Sequence, residues 1–185
     1  VTATSGHMIA ADQVSNLAAF KAYAYAYLLA HPRIHQGPGM FLLARTLEPR
    51  AAAPHRRLRT IRTLVDAGVP VGVSVGPQIP FINDDMEQVL AAARDAGATS
   101  AFYTVVRLPW EVAPLFKEWL QLHYPQRADR VMARIREMRG GKDYDADFAT
   151  RMKGSGLWAD LIRQRFHHAT QRLGYNRTRI TLDLA

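Results

Sequence analysis

Three short spacings in this chain carry the residue types that hold metals or phosphates. Asp143, Asp145 and Asp147 alternate as the ligands of a calcium loop do, but Phe148 stands where such a loop needs glycine and Gly154 where it needs a bidentate glutamate. Aspartate in that setting favours turns and helix starts, so the three read as solvated turn residues. Gly140, Gly141 and Lys142 are similar to the end of a phosphate-binding loop. Arg136, however, replaces its first glycine, and Asp143 replaces the hydroxyl residue that would meet magnesium. A helix C-cap followed by a turn accounts for both glycines. His31 and His35 are four apart, which on a helix would place two imidazoles on one face, but Pro32 and the glycines after His35 argue against a helix there. No metal ligands are assigned.

The chain contains no cysteine. By itself it therefore offers no disulfide, no thiolate zinc site, no cysteine nucleophile and no thiolate for an iron–sulfur cluster. A Ser–His–Asp triad is recognised by geometry rather than by order along the chain, so none is read here. The formal charge of +8 and the pI near 10.2 come mostly from arginine, a planar fork that suits phosphate and carboxylate. Arg56, Arg57, Arg59 and Arg62 form one basic row, and Arg130, Arg134, Arg136, Arg139 and Lys142 another. Rows of this kind are expected as solvated helix faces. A phosphate-tracking groove is the competing use, but the apolar residues between them have the spacing of core stripes rather than of stacking platforms.

The elements that must position these residues alternate helix with strand. Pro54 suits a first helical position, Leu58, Ile61, Leu64 and Val65 share a face, and Gly68 stops the helix. Residues 69–76 form a valine-rich run closed by Pro77, a buried strand of the parallel-sheet kind. Asp84 and Glu87 have capping-box spacing, with Met86, Val89, Leu90 and Ala93 as the stripe and Gly97 as the stop. Residues 100–108 are rich in β-branched and aromatic side chains and predict a second strand ending at Pro109. Three further helices follow from the stripes at Val112 to Leu120, Val131 to Met138 and Trp158 to Leu173.

At 185 residues with 48% apolar side chains the chain is long enough for one α/β domain. The stretch around Ala22 to Tyr27 fits either a helix begun at Asp12 or Ser15 or a strand, by its Ala/Tyr alternation. Two strands under four or more helices leave apolar faces uncovered, so the domain reads as incomplete. No run reaches the roughly 18–20 apolar residues that span a bilayer, and residues 1–12 lack the basic start of a secretory signal. Cytoplasmic residence without a membrane partner is the expectation.

Four stretches carry a family resemblance: LEPRAAAPHRRL at 47–58, AGVPVGVSVGPQIPFIND at 67–84, VRLPWEV with PLFKEWL at 106–120, and MRGGKDYDADF followed by RMKGSGLWADLIRQRF at 138–166. Through them the chain, from residue 43 to about residue 175, resembles the C-terminal half of bacterial radical S-adenosylmethionine (radical SAM) proteins distantly related to spore photoproduct lyase. The resemblance implies a partial (β/α)6 barrel with C-terminal helices. In that family a C-x3-C-x2-C loop holds a [4Fe-4S] cluster, which reductively cleaves S-adenosylmethionine to a 5′-deoxyadenosyl radical. That cysteine-bearing N-terminal half is not in these residues.

By the same resemblance Glu48 and Arg50 follow the fourth barrel strand, near the cofactor's polar groups. Gly76, Pro77 and Ile79 end the fifth, on the adenine side, and Arg107 ends the sixth. The chain thus divides into an unmatched segment (1–42), the C-terminal βα units of a radical SAM-like barrel (43–122) and a helical C-terminal extension (123–185). Residues 1–5 faintly resemble the family's fourth strand, and a truncated or frameshifted reading frame would explain the remainder of the unmatched segment. The expected activity is that of an enzyme fragment, inactive alone, whose partner is the other half of the barrel and whose parent takes a nucleic acid or other anionic substrate. The alternative is a non-catalytic basic module that binds nucleic acid.

Overall fold

The computed structural model describes residues 52–178, Leu47, and the backbone of Ala24–Leu28. The chain is mixed α/β. Three parallel strands, β1 (Ala24–Leu28), β2 (Val71–Gln78) and β3 (Ser100–Val105), lie in the order β1-β2-β3. The helices are α1 (Pro54–Asp66), α2 (Met86–Asp95), α3 (Val112–His123), α4 (Ala128–Glu137) and α5 (Gly156–Leu173). The ambiguous Ala/Tyr stretch resolves as strand, and it supplies a third member to a sheet for which the sequence predicts two. That strand comes from the segment that the resemblance leaves unmatched, and it is in register with β2 from Ala24↔Val71 to Leu28↔Val75.

Punctuation sets the helix ends largely as expected. Pro54 opens α1, where its missing N–H costs nothing, and the chain leaves α1 through Gly68 at φ 78°. Gly97, at φ 104°, ends the α2 segment under the end of α1, and a Cβ there would lie 2.8 Å from Val65 Cγ1. Glycine thus permits both the turn and the close approach of the two helices. The capping box predicted at Asp84 and Glu87 does not form. The N-cap is Asp85, with no side-chain cap hydrogen bond, and Glu87 is turned outward to Arg165 of α5.

The sheet's two faces differ. Alternation puts Val71, Val73 and Val75 on one face with Ala101, Tyr103 and Val105 of β3, and these join Ile61 of α1, Leu90 of α2 and Ile162 of α5 in one core. Full burial contributes roughly 1.5–3 kcal/mol for each of the three valines. On the other face β2 presents Gly72, Ser74 and Gly76, and β3 presents Ser100, Phe102 and Thr104. A parallel sheet packed on both sides reads as apolar throughout. Here one side mixes glycine and hydroxyl residues with a single large aromatic in β2 and β3, Phe102.

The two sheet edges differ as well. Along the outer edge of β3, Asn176 substitutes for a neighbouring strand: its backbone N–H donates to Thr99 O (3.0 Å), its Oδ1 accepts from Ala101 N–H (2.9 Å) and its Nδ2 donates to Ala101 O (3.0 Å). Further along, Val105 N–H donates to Met152 O (2.9 Å). That edge is closed by the chain's own C-terminal part. Among the described residues no strand pairs with the outer edge of β1.

Helices α3 and α4 pack on each other, and α4 on α5, rather than on the sheet. This arrangement meets part of the demand for cover that five helices would place on a narrow sheet. Exposed apolar residues remain on α3 (Leu115, Leu122) and α5 (Leu157, Leu161). No helix among the described residues is long and apolar enough to cross a membrane.

Candidate functional site

Because β2 and β3 are parallel, their C-terminal ends lie at one end of the sheet, the end that carries function in α/β folds. Gly76, Pro77, Ile79 and Arg107 all fall there. Glu48 and Arg50, and the segment 1–5, lie outside the described residues. The Gly76–Pro77 peptide is cis, and the register against β3 shifts between Val75 and Gln78 before Val106 N–H donates to Gln78 O (3.0 Å).

Each of the four residues has a definite local setting. A Cβ on Gly76 would collide with Thr104 Oγ1, so the glycine makes room for the neighbouring strand's side chain. Pro77 is half-buried, and its carbonyl accepts from Asn83 Nδ2 (2.8 Å). The Asn83 Oδ1 accepts from Ile79 N–H (2.6 Å), so one buried asparagine holds the turn that follows β2. The Ile79 side chain belongs to the apolar core. Arg107 reaches outward from the end of β3: Nη2 donates to Tyr144 Oη (3.3 Å), Nη1 contacts Met152 Sδ (3.6 Å), and the buried Nε is left without a partner.

The turn after β2 is braced from the helical layer. Phe81, at φ 62°, lies under the Arg130 guanidinium (3.9 Å) and beside the Trp158 ring (5.1 Å), and Arg127 Nη1 donates to its carbonyl (3.0 Å). The basic row of α4 is therefore not one solvated face. Arg139 at its end is 3% exposed, donating from Nη1 to Thr150 O (3.0 Å) and from Nη2 to Val106 O (2.9 Å). Burial pulls its pKa below the ordinary arginine value, and Arg107 nearby adds to the effect. Arg57 of the other row is also buried, and its Nε donates to Ala52 O (2.6 Å).

The loop between α4 and α5 completes this end of the sheet. Asp143 accepts from Lys117 (2.5 Å) and Arg136 (2.7 Å), and those bonds, Lys117 first, hold its carboxyl below the usual range. Asp145 accepts from Thr150 Oγ1 (2.5 Å) and Asp147 N–H (3.0 Å), and Asp147 accepts from Ala149 N–H (2.7 Å). The aspartates are turn residues, as the residue type rather than the calcium-loop spacing suggested, and Gly140 and Gly141 turn the chain at φ 62° and 86°. Arg151 covers one face of the Phe148 ring at 4.0 Å, and Lys153 lies 5.5 Å from the Tyr103 ring centroid.

Sequence reading gave no site role to Ser74, Tyr144, Phe148, Arg151 or Lys153. The signal available was the interleaving of aromatic and basic residues from 144 to 153. Ser74 is fully buried on the polar face, and its Oγ has no partner. Among the described residues no cluster of His, Asp or Glu side chains is arranged to hold a metal ion. No family model, curated protein or solved structure matches the chain.

Proposed function

We propose that this chain forms the C-terminal side of a radical SAM barrel and works only with a cysteine-bearing half supplied by other residues. The observation that carries the reading is the asymmetry of the sheet. One face is packed by helices while the other, Phe102 apart, presents the small or hydroxyl-bearing residues Gly72, Ser74, Gly76, Ser100 and Thr104, which suits a lumen-facing surface. One edge is closed by Asn176 and Met152, which leaves β1 as the side on which further parallel strands would add.

The residues present do not fit an iron–sulfur cluster, because the chain has no thiolate to offer. Reductive cleavage of S-adenosylmethionine therefore depends on ligands from outside this chain. Its own contribution, on this reading, is to hold the cofactor and substrate. Gly76 and Pro77 offer backbone at the strand end, and the turn fixed by Asn83 keeps that backbone rigid around the buried Ile79. Arg107 brings a cation whose Nε has no partner, and Ser74 a hydroxyl without one, both suited to a polar ligand. Glu48 and Arg50 are the remaining cofactor-side candidates.

The test is association. The chain is mixed with the polypeptide encoded immediately upstream, and the mixture is analysed by size-exclusion chromatography with light scattering. A one-to-one complex is expected. Independent elution of the two, or an upstream sequence with no cysteine motif, overturns the reading.

A further inference from the structure

At the end of β3, cations collect without counter-charge. Arg107, Arg151 and Lys153 have no carboxylate partner among the described residues, although three aspartates lie in the same loop. Those aspartates are committed elsewhere: Asp143 to Lys117 and Arg136, Asp145 to Thr150, and Asp147 to the loop's own amides. Met152 lies between them in the chain: Arg107 contacts its sulfur, its carbonyl accepts from Val105 N–H of β3, and Arg151 and Lys153 are its sequence neighbours.

Beside these cations is a ring that protein packing does not use. Phe148 is 80% exposed, with Arg151 backing one face at 4.0 Å and the other face open to water. The uncovered face of the ring is an aromatic surface available for stacking beside a cation. A guanidinium already stacked on one face is the arrangement in which a second flat ring completes a sandwich. A simple carboxylate or an acidic peptide would engage the cations and leave the ring idle. A ligand that needs both is a flat heterocycle carrying a phosphate.

We infer that Phe148, Arg151, Arg107 and Lys153 form a site for an unpaired nucleotide, the base stacking on Phe148 and the phosphate facing the three cations. This names the substrate class for the barrel proposed above and rests on that reading for its catalytic meaning. The binding itself requires neither cluster nor second half, so the two can fail separately. The same chemistry could come from a free mononucleotide or from one unit of a single strand.

The experiment uses the whole 185-residue chain, checked for folding by circular dichroism, and a short fluorescent single-stranded oligonucleotide read by anisotropy. A nucleoside monophosphate and the matching duplex serve as competitors. Phe148→Ala and Arg151→Gln are each expected to weaken binding about tenfold, in line with the loss of one stacked base or one phosphate contact. Phe148→Tyr retains affinity, because the ring remains. Arg59→Gln on α1 removes the same charge from a distant exposed position and changes affinity less than twofold. Competition by the monophosphate identifies the free nucleotide as the ligand, and its failure to compete identifies the strand. Equal affinity for duplex, equal effects of Arg59→Gln and Arg151→Gln, an unchanged Phe148→Ala, or no binding at all each overturn the site.

Discussion

Replacing Asn176 by alanine tests how the sheet is closed. The side chain makes two hydrogen bonds to the backbone of Ala101, at 2.9 and 3.0 Å, and its removal leaves a strand-edge N–H and C=O without protein partners. Each bond contributes about 0.5–1.5 kcal/mol net. The residue also sits at φ 57°, a left-handed conformation that asparagine tolerates and that costs alanine about 1 kcal/mol. The sum is about 2–4 kcal/mol, which for a urea dependence of about 2 kcal/mol per molar lowers the unfolding midpoint by about 1–2 M. Asn176→Gly loses the bonds but not the backbone compatibility, so its loss should be smaller by about 1 kcal/mol. Hydrogen exchange adds a local readout, because the Ala101 amide should lose protection in both variants while amides at the centre of β2 keep theirs. Midpoints within 0.2 M of the parent, together with an Ala101 amide still protected, would refute the edge-closing role.

Other perturbations address the remaining supports. Gly76→Ala forces a Cβ into Thr104 Oγ1 and should destabilise by about 1–3 kcal/mol, and Thr104→Ala in the same chain should restore part of that in a double-mutant cycle of thermal melts. Arg139→Leu deprives the Thr150 and Val106 carbonyls of their donors, with an expected loss of about 2–4 kcal/mol and faster hydrogen exchange in the 143–154 loop. In α2, the hydrogen bond from Arg165 holds the Glu87 carboxyl below its ordinary value of 4.5, against the opposing effect of burial. A lowered folded-state pKa gives stability that is complete above 4.5 and is lost as pH falls through the folded value. Glu87→Gln should therefore show a shallower drop in melting temperature below about pH 4.5 than the parent, and parallel curves would exclude the linkage.

The helical layer was legible because periodic apolar stripes and Gly/Pro punctuation are local signals. Leu58 to Val65, the Met86 stripe and the Val131 stripe each lie on the helix that their spacing implies. Strand β1 could not be decided locally. Alternating Ala and Tyr suits a strand, but alanine is also the best helix former, and only pairing to the Val71–Val75 run settles which wins. The capping box failed for a related reason, since Glu87 finds its partner 78 residues away on Arg165. Arg139 and Arg57 were hidden in the basic rows, because charge pattern does not reveal which arginine turns inward to backbone carbonyls. Of the residues proposed for the site, Gly76, Pro77, Ile79 and Arg107 could be assigned to the ends of β2 and β3 from the strand pattern alone. The loop that completes the site required the fold, because 143–153 reaches β3 through long-range contacts such as the Met152 carbonyl, Arg139 and Lys153.

In the proposed role this chain is one side of a radical SAM barrel whose cluster ligands come from other residues. Anaerobic iron–sulfur reconstitution, followed by an assay for 5′-deoxyadenosine, tests it on the 185-residue chain beside a longer polypeptide that includes the upstream coding sequence. A [4Fe-4S] chromophore and S-adenosylmethionine cleavage are expected in the longer polypeptide and neither in the short one. A cluster bound by the short chain, or none bound by the longer one, would contradict that role.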